Sequence, residues 1–233
     1  MNSTRAIPVV AGAFFIVAAV AAIVGLALEG PVLNDSRYIV AVSGDDTGVI
    51  LGAFFEVILA ISVIGTAVTL FPIVKRQSEG IALGYVAGRV VEALVIVVGI
   101  ISILSMVKLR QTFGGVTGED AVSVVAIGKS LVVIHNWTFL FGPNLALGPN
   151  TLMLAYLMYR SGLVPRVIAV LGLIGGPLIF ASGTAVLFGL YGQQSVWGSI
   201  AAVPVFAWEM ILAVWLIVKG FKASPIAHQP KAL

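Results

Sequence analysis

Six long apolar runs constrain this chain more than any other feature of its sequence. About 20 consecutive apolar residues are needed to cross the hydrocarbon core of a bilayer as a helix. The chain contains such runs at residues 7–28, 49–74, 81–107, 131–159, 167–190 and 196–218. Only 10% of its residues are charged, whereas about 25% is typical of soluble domains. We therefore predict an all-α polytopic membrane protein, a six-transmembrane-helix bundle that forms one domain over residues 1–222, with a disordered cytoplasmic tail at 223–233.

The basic residues between the runs predict the orientation, because cytoplasmic loops carry an excess of Lys and Arg. One side has the eight residues Arg5, Lys75, Arg76, Arg160, Arg166, Lys219, Lys222 and Lys231. The other side has the four residues Arg37, Lys108, Arg110 and Lys129. With six spans, both termini are expected in the cytoplasm of a multi-pass protein of the cell (inner) membrane. The length of the first run favours a retained span over a cleaved signal peptide.

Four charged residues interrupt the apolar runs. Arg89 and Glu92 lie three positions apart in the third run, so they share one face of a helix. Glu56 and Glu209 lie in the second and sixth runs. Charged groups are costly in hydrocarbon unless they are paired. We therefore predict that Glu56, Arg89, Glu92 and Glu209 face one another as a polar cluster in the bundle.

This charge count has a consequence, because one Arg cannot neutralise three carboxylates. At least one of the glutamates is expected to be protonated near neutral pH, since burial disfavours the charged form. Membrane carboxylates commonly serve proton- or cation-linked pathways. The alternative is that the charges form a structural lock, which fixes the register of the helices.

The fourth run contains the triplet Gly-Pro-Asn twice, ending at Asn144 and Asn150. Each proline removes a backbone donor and clashes with the carbonyl four residues earlier, so the helix is predicted to kink or break. Broken helices line binding sites in many transporters, and we therefore place a candidate site at His135, Asn136, Asn144 and Asn150. The alternative is a kink that serves packing alone. The preceding apolar stretch, 121–134, is either an extension of this span or a helix in the membrane interface.

Other site chemistries find little support in the sequence. The absence of cysteine excludes disulfides and thiolate metal sites. His135 is the one histidine within the apolar runs, whereas catalytic zinc needs three protein ligands, so we predict no metal. No Gly-x-Ser-x-Gly, phosphate loop or dinucleotide motif occurs, and we predict no cofactor and no catalytic residues. The net charge of +3 comes from basic residues at span ends, so we expect no nucleic-acid partner.

Three segments resemble a known family. They are Gly88-Arg89-Val90-Val91-Glu92, the segment from His135 to Phe139, and Leu157-Met158-Tyr159-Arg160-Ser161-Gly162-Leu163-Val164-Pro165-Arg166 with the glycine-rich run after it. Together they are similar to the prokaryotic six-span membrane family catalogued as domain of unknown function 4386, and the likeness covers nearly the whole chain. The resemblance implies a bacterial or archaeal inner-membrane protein, and it brings no established activity.

Two functional hypotheses follow from these observations. The first is a small transporter or channel-like bundle, with the lipid bilayer as its surroundings and a proton or small molecule as its substrate. The second is a non-catalytic membrane sensor or scaffold. An intramembrane enzyme is the weakest reading, because no nucleophile or metal set stands out. A solvated cavity that reaches Glu92 from one side would favour transport, and a dry, fully packed bundle would favour the scaffold.

Overall fold

A computed structural model describes residues 3–35, 37–42 and 45–222. In these ranges the chain is helical and contains six helical segments long and apolar enough to cross a membrane, which confirms the predicted all-α six-span fold. The helices are α1 (Ser3–Leu28), α2 (Gly30–Asn34), α3 (Thr47–Val74), α4 (Glu79–Phe113), α5 (Gly118–Leu140), α6 (Leu147–Ser161), α7 (Arg166–Leu187) and α8 (Val196–Val218). A 3-10 turn, Tyr38–Val40, precedes α3, and a π-helical segment, Phe141–Ala146, joins α5 to α6. The predicted tail at 223–233 lies outside the described residues.

Consecutive spans are neighbours in the bundle. α1 packs on α3, α3 on α4, α4 on α5 and α6, α6 on α7, and α7 on α8. α8 also packs on α1, so the six spans close into a ring. The short turns at 75–78 and 162–165 lie at one end, here called the hairpin end. The connections at 29–46, 114–117 and 188–195 lie at the other, here called the loop end.

The fourth span is longer than the apolar run predicted. Helix α5, the π-helical segment and α6 run without interruption from Gly118 to Ser161. The stretch 121–134 is therefore an extension of the fourth span. At 1.5 Å per residue, 44 residues measure about 66 Å, against a hydrocarbon core of about 30 Å. The start of α5 and the end of α4 therefore form an antiparallel pair that extends beyond the membrane thickness.

Two apolar clusters form the core, one toward each end of the bundle. The hairpin-end cluster includes Tyr85, Leu157 and Trp208, all at most 1% exposed. The loop-end cluster includes Ala93, Ile103 and Val32, and Val32 belongs to the segment after α1 that folds over this end. Arg89 and Glu92 lie on α4 between Tyr85 and Ala93, so the charged pair separates the two apolar clusters.

Glycines of α7 let the helices approach closely beside the hairpin-end cluster. A methyl group at Gly172 of α7 would lie 2.7 Å from both Ala155 and the ring of Trp208. One at Gly176 would lie 2.8 Å from the carbonyl oxygen of Gly148. Both contacts are shorter than van der Waals distance, so α7 can pack against α6 and α8 at this depth because these positions lack a side chain.

Candidate functional site

Arg89 is the centre of a buried polar network. It is 3% exposed, and its guanidinium donates to both carboxylate oxygens of Glu92 at 3.3 Å and to Oε1 of Glu209 at 3.0 Å. Asn150 Nδ2 donates to Glu92 Oε2 at 2.9 Å. The guanidinium carbon also lies 5.6 Å from the Tyr85 ring centre. The network therefore joins the third, fourth and sixth spans through charge-assisted hydrogen bonds.

Glu209 is more exposed than Glu92 and lines a cavity. The Glu92 side chain is 5% exposed and that of Glu209 is 19% exposed. Glu209 lines a cavity of about 510 Å³ that also contacts Asn144 and, at the loop end, Gln193 and Gln194. Glu209 is 13 residues after the first residue of α8, Val196, which corresponds to about 20 Å along the helix axis. The cavity therefore reaches from the loop end to a carboxylate of the Arg89 network.

Glu56 lies apart from Arg89. Its carboxylate is 3.8 Å from Nε2 of His135, and the same nitrogen is 3.5 Å from Oε2 of Glu29. The four residues predicted to form one polar cluster are thus divided between two sites. The reason is that α3 is apolar on all sides. Its sequence therefore fixes how deep Glu56 lies in the span, but it does not indicate which neighbouring helix Glu56 faces.

Glu29 is a site residue that the sequence analysis missed. It directly follows the last residue of α1 and lies outside the predicted apolar runs, yet it is 0% exposed. The helical turn of α2 and the buried side chains of Val32 and Ile39 follow it at the loop end. The available signal was the apolar sequence Pro31-Val32-Leu33 directly after Gly30, which is unlike a solvated loop.

The predicted broken-helix site is not one site. His135 belongs with Glu29 and Glu56, Asn150 binds Glu92, and Asn144 lines the cavity at Glu209. Asn136 is exposed and lines a further cavity of about 370 Å³ near Trp137, which borders the cavity at Glu209. The span itself is widened, not broken: the π-helical segment Phe141–Ala146 contains Pro143 and accommodates its missing backbone donor.

A further polar network holds the loop end. Arg110 Nη1 lies 2.7 Å from Asp46 Oδ1, and the Tyr38 hydroxyl donates to the same oxygen at 2.6 Å. Burial, together with the hydrogen bond to Asp46, raises the pKa of Tyr38 from 10.0 to about 12. Hydrogen bonds from Thr47 hold the pKa of Asp45 below its ordinary value. These contacts fasten the connection before α3 onto the far end of α4.

Comparisons with known proteins give a family. The chain is 33% identical over 89 residues to a protein of Archaeoglobus fulgidus (strain ATCC 49558 / DSM 4304 / JCM 9628 / NBRC 100126 / VC-16) that bears the name "Uncharacterized protein". This match covers 36% of the chain and 47% of the relative, so it spans about half of the relative's length. No solved structure matches the chain. The model of the family described as "Domain of unknown function (DUF4386)" matches residues 10–220, which is most of the chain. The chain therefore belongs to the DUF4386 family.

Proposed function

We propose that this membrane protein is a small transporter with a proton-linked pathway, in which Glu209 is the group that gains and loses the proton. The observation that carries the proposal is the cavity of about 510 Å³ from the loop end to Glu209. A buried carboxylate that is joined to a cavity can exchange protons, whereas one sealed in a packed core cannot.

A second cavity extends the same interior space. It measures about 370 Å³ and reaches Glu56 and His135. Both cavities share a wall formed by residues of the first, fourth and sixth spans, namely Leu26, Phe139, Pro143, Ala202 and Phe206. The π-helical segment contributes Pro143 to this wall, and such segments are frequent at functional sites. The mostly apolar lining suits a small, largely apolar solute.

The positions of the basic residues support an orientation of the protein in the membrane. The basic residues Lys75, Arg160, Arg166 and Lys219 lie at the hairpin end, where the N-terminal helix also begins. We propose that this end faces the cytoplasm of a prokaryotic cell, with both termini inside, and that the cavity at Glu209 opens outward.

The alternative is a sensor or scaffold without transport. The Arg89 network supports it, because hydrogen bonds from Arg89 and Asn150 hold three spans in one register. A structural lock of this kind requires no conduction. The two functions therefore differ in whether protons cross the membrane through the protein.

Proton flux into proteoliposomes tests the proposal. Vesicles loaded with a pH-sensitive dye would be energised with a potassium diffusion potential, in buffer that contains a metal chelator. We expect wild-type protein to acidify or alkalinise the lumen faster than protein-free vesicles, and Glu209→Gln to abolish the difference. Glu119→Gln, which changes an exposed carboxylate at the start of α5, is the matched control and should conduct like wild type. Equal flux in wild-type and protein-free vesicles would favour the scaffold.

A further inference from the structure

Three potential metal ligands from three separate parts of the chain meet near the loop end. Glu29 follows α1, Glu56 belongs to α3, and His135 belongs to α5. Their side chains are 0%, 13% and 3% exposed. One ligand atom from each lies within 4.8 Å of the other two. The three groups, here called the Glu–Glu–His cluster, take no part in the Arg89 network.

The carboxylates of this cluster lack the hydrogen bonds that buried polar atoms normally make. Among the described residues, neither oxygen of Glu29 has a hydrogen-bond partner, and Glu56 Oε2 has none. A buried carboxylate without donors is strongly unfavourable, because it has lost its water and gained nothing in exchange. Of these oxygens, Glu29 Oε2 lies 3.5 Å from Nε2 of His135 and therefore faces the other groups of the cluster. A buried carboxylate in this position indicates a positively charged ligand.

The distances do not suit direct ion pairs. His135 Nε2 lies 3.5 Å from Glu29 and 3.8 Å from Glu56. Charge-assisted N–H to carboxylate bonds measure about 2.7–2.9 Å. The ion pairs of Arg110 and Arg89 in this protein measure 2.7–3.3 Å, so both distances at His135 are longer. Two ligands that each lie about 2.1 Å from a tetrahedral metal ion are about 3.4 Å apart. The spacing at His135 is therefore closer to that of ligands sharing an ion.

We propose that Glu29, Glu56 and His135 bind one divalent transition-metal ion of the zinc or manganese class. His135 would use Nε2, and each glutamate one carboxylate oxygen. Imidazole suits zinc and related ions, and carboxylates suit manganese as well. Two carboxylates and a neutral imidazole balance the double positive charge. The cavity of about 370 Å³ that reaches Glu56 and His135 gives an approach and room for water as a further ligand. This proposal goes beyond transport and does not depend on it.

Metal binding to tag-free protein tests the proposal, because the chain has only two histidines, His135 and His228. Protein stripped with a chelator would be titrated with Zn²⁺ and with Mn²⁺ in detergent by calorimetry. We expect about one equivalent of Zn²⁺ to bind, and each of Glu29→Gln, Glu56→Gln and His135→Gln to weaken the affinity at least about tenfold. His228→Gln and Glu119→Gln, the latter at an exposed carboxylate, are matched controls and should bind like wild type.

X-ray absorption of the wild-type Zn²⁺ complex provides a second readout, which does not require the variants to fold. We expect one imidazole and otherwise oxygen ligands around the ion, with the imidazole signal retained in His228→Gln. Absence of stoichiometric binding, an ion without imidazole, or loss of binding in His228→Gln would overturn the proposal. Retention of full affinity in a folded His135→Gln would overturn it as well.

Discussion

The guanidinium of Arg89 faces two carboxylates, which differ in burial and in hydrogen bonding. Glu92 is buried and receives further donation from Asn150, whereas Glu209 is partly exposed to a cavity. One positive charge cannot neutralise both carboxylates. The expectation that at least one membrane glutamate is protonated near neutral pH therefore remains a prediction.

Arg89→Gln is expected to destabilise the protein strongly. Removing one partner of a buried ion pair leaves an uncompensated charge, which costs about 3–5 kcal/mol. Thermal unfolding in detergent would show a markedly lower Tm. The double variant Arg89→Gln/Glu92→Gln should recover part of the loss, because it removes the more buried of the two stranded carboxylates. Arg160→Gln is the control, since Arg160 is exposed at the hairpin end. A wild-type Tm for Arg89→Gln would show that the network does not stabilise the fold.

The pKa of Tyr38 is sensitive to the polar network at the loop end. Its pKa is raised from 10.0 to about 12 by burial and by Asp46. A raised pKa means that the protonated phenol is favoured in the folded state. The resulting stabilisation is therefore complete below pH 10 and is lost as the pH rises through about 12.

The variant Asp46→Asn tests this cause. It removes the negative charge beside the Tyr38 hydroxyl and leaves Arg110 without its carboxylate, so the pKa of Tyr38 should fall toward 10.0. Carbon NMR of labelled tyrosine rings over the alkaline range would measure it, and Tyr38→Phe would assign the signal. An unchanged pKa in Asp46→Asn would mean that the charge of Asp46 does not contribute to the shift.

At the scale of helices, a Gly-xxx-Gly pair on α4 contains two glycines with different neighbours. A methyl group at Gly88 would collide with the Asn150 amide that donates to Glu92, whereas one at Gly84 would meet the flexible end of Met153 at 3.1 Å. Around Gly80, on the same helix, no described atom lies within 4 Å of such a group. The three positions therefore form a graded series on one helix.

We expect Gly88→Ala to lower stability by about 1–3 kcal/mol, as overpacking does in well-packed cores. Gly84→Ala should cost less, because a methionine side chain can move aside. Gly80→Ala should be neutral or slightly stabilising, since alanine has the higher helix propensity. Thermal unfolding of the three variants under one condition measures the order. Equal effects at Gly88 and Gly80 would show that close contact with Asn150 is unimportant.

The sequence predicts helices better than it predicts which faces meet. Hydropathy gave six spans with most ends within a few residues, and three-residue spacing placed Arg89 beside Glu92. The need of a charged group in hydrocarbon for a partner led to the expected approach of Glu209 to Arg89. How an apolar helix is rotated about its own axis leaves no pattern in its sequence. The prediction therefore grouped Glu56 with the wrong partners. Glu29 was missed because its burial depends on how the following segment folds back, which is a tertiary effect.

The closed ring of spans gives the molecule two chemically different ends. The hairpin end has short turns with basic residues, whereas the loop end has long connections and the opening toward Glu209. Any transport through this bundle requires that the two ends face different compartments. The cavity must also admit water from the loop end alone, because access from both sides at once would make an open pore.

Single cysteines can test both requirements, since the chain contains no cysteine of its own. Gln194 is exposed at the loop end and Glu79 is exposed at the hairpin end, so Gln194→Cys and Glu79→Cys place one thiol at each end. Ser199→Cys lines the cavity about one turn inside α8. In intact cells, a membrane-impermeant maleimide should label Gln194→Cys and Ser199→Cys, and it should label Glu79→Cys only after permeabilisation. The opposite pattern would reverse the orientation. Labelling of Gln194→Cys without labelling of Ser199→Cys would mean that the cavity is closed to water. Protons could then not reach Glu209 from the loop end, which would contradict the proposed pathway.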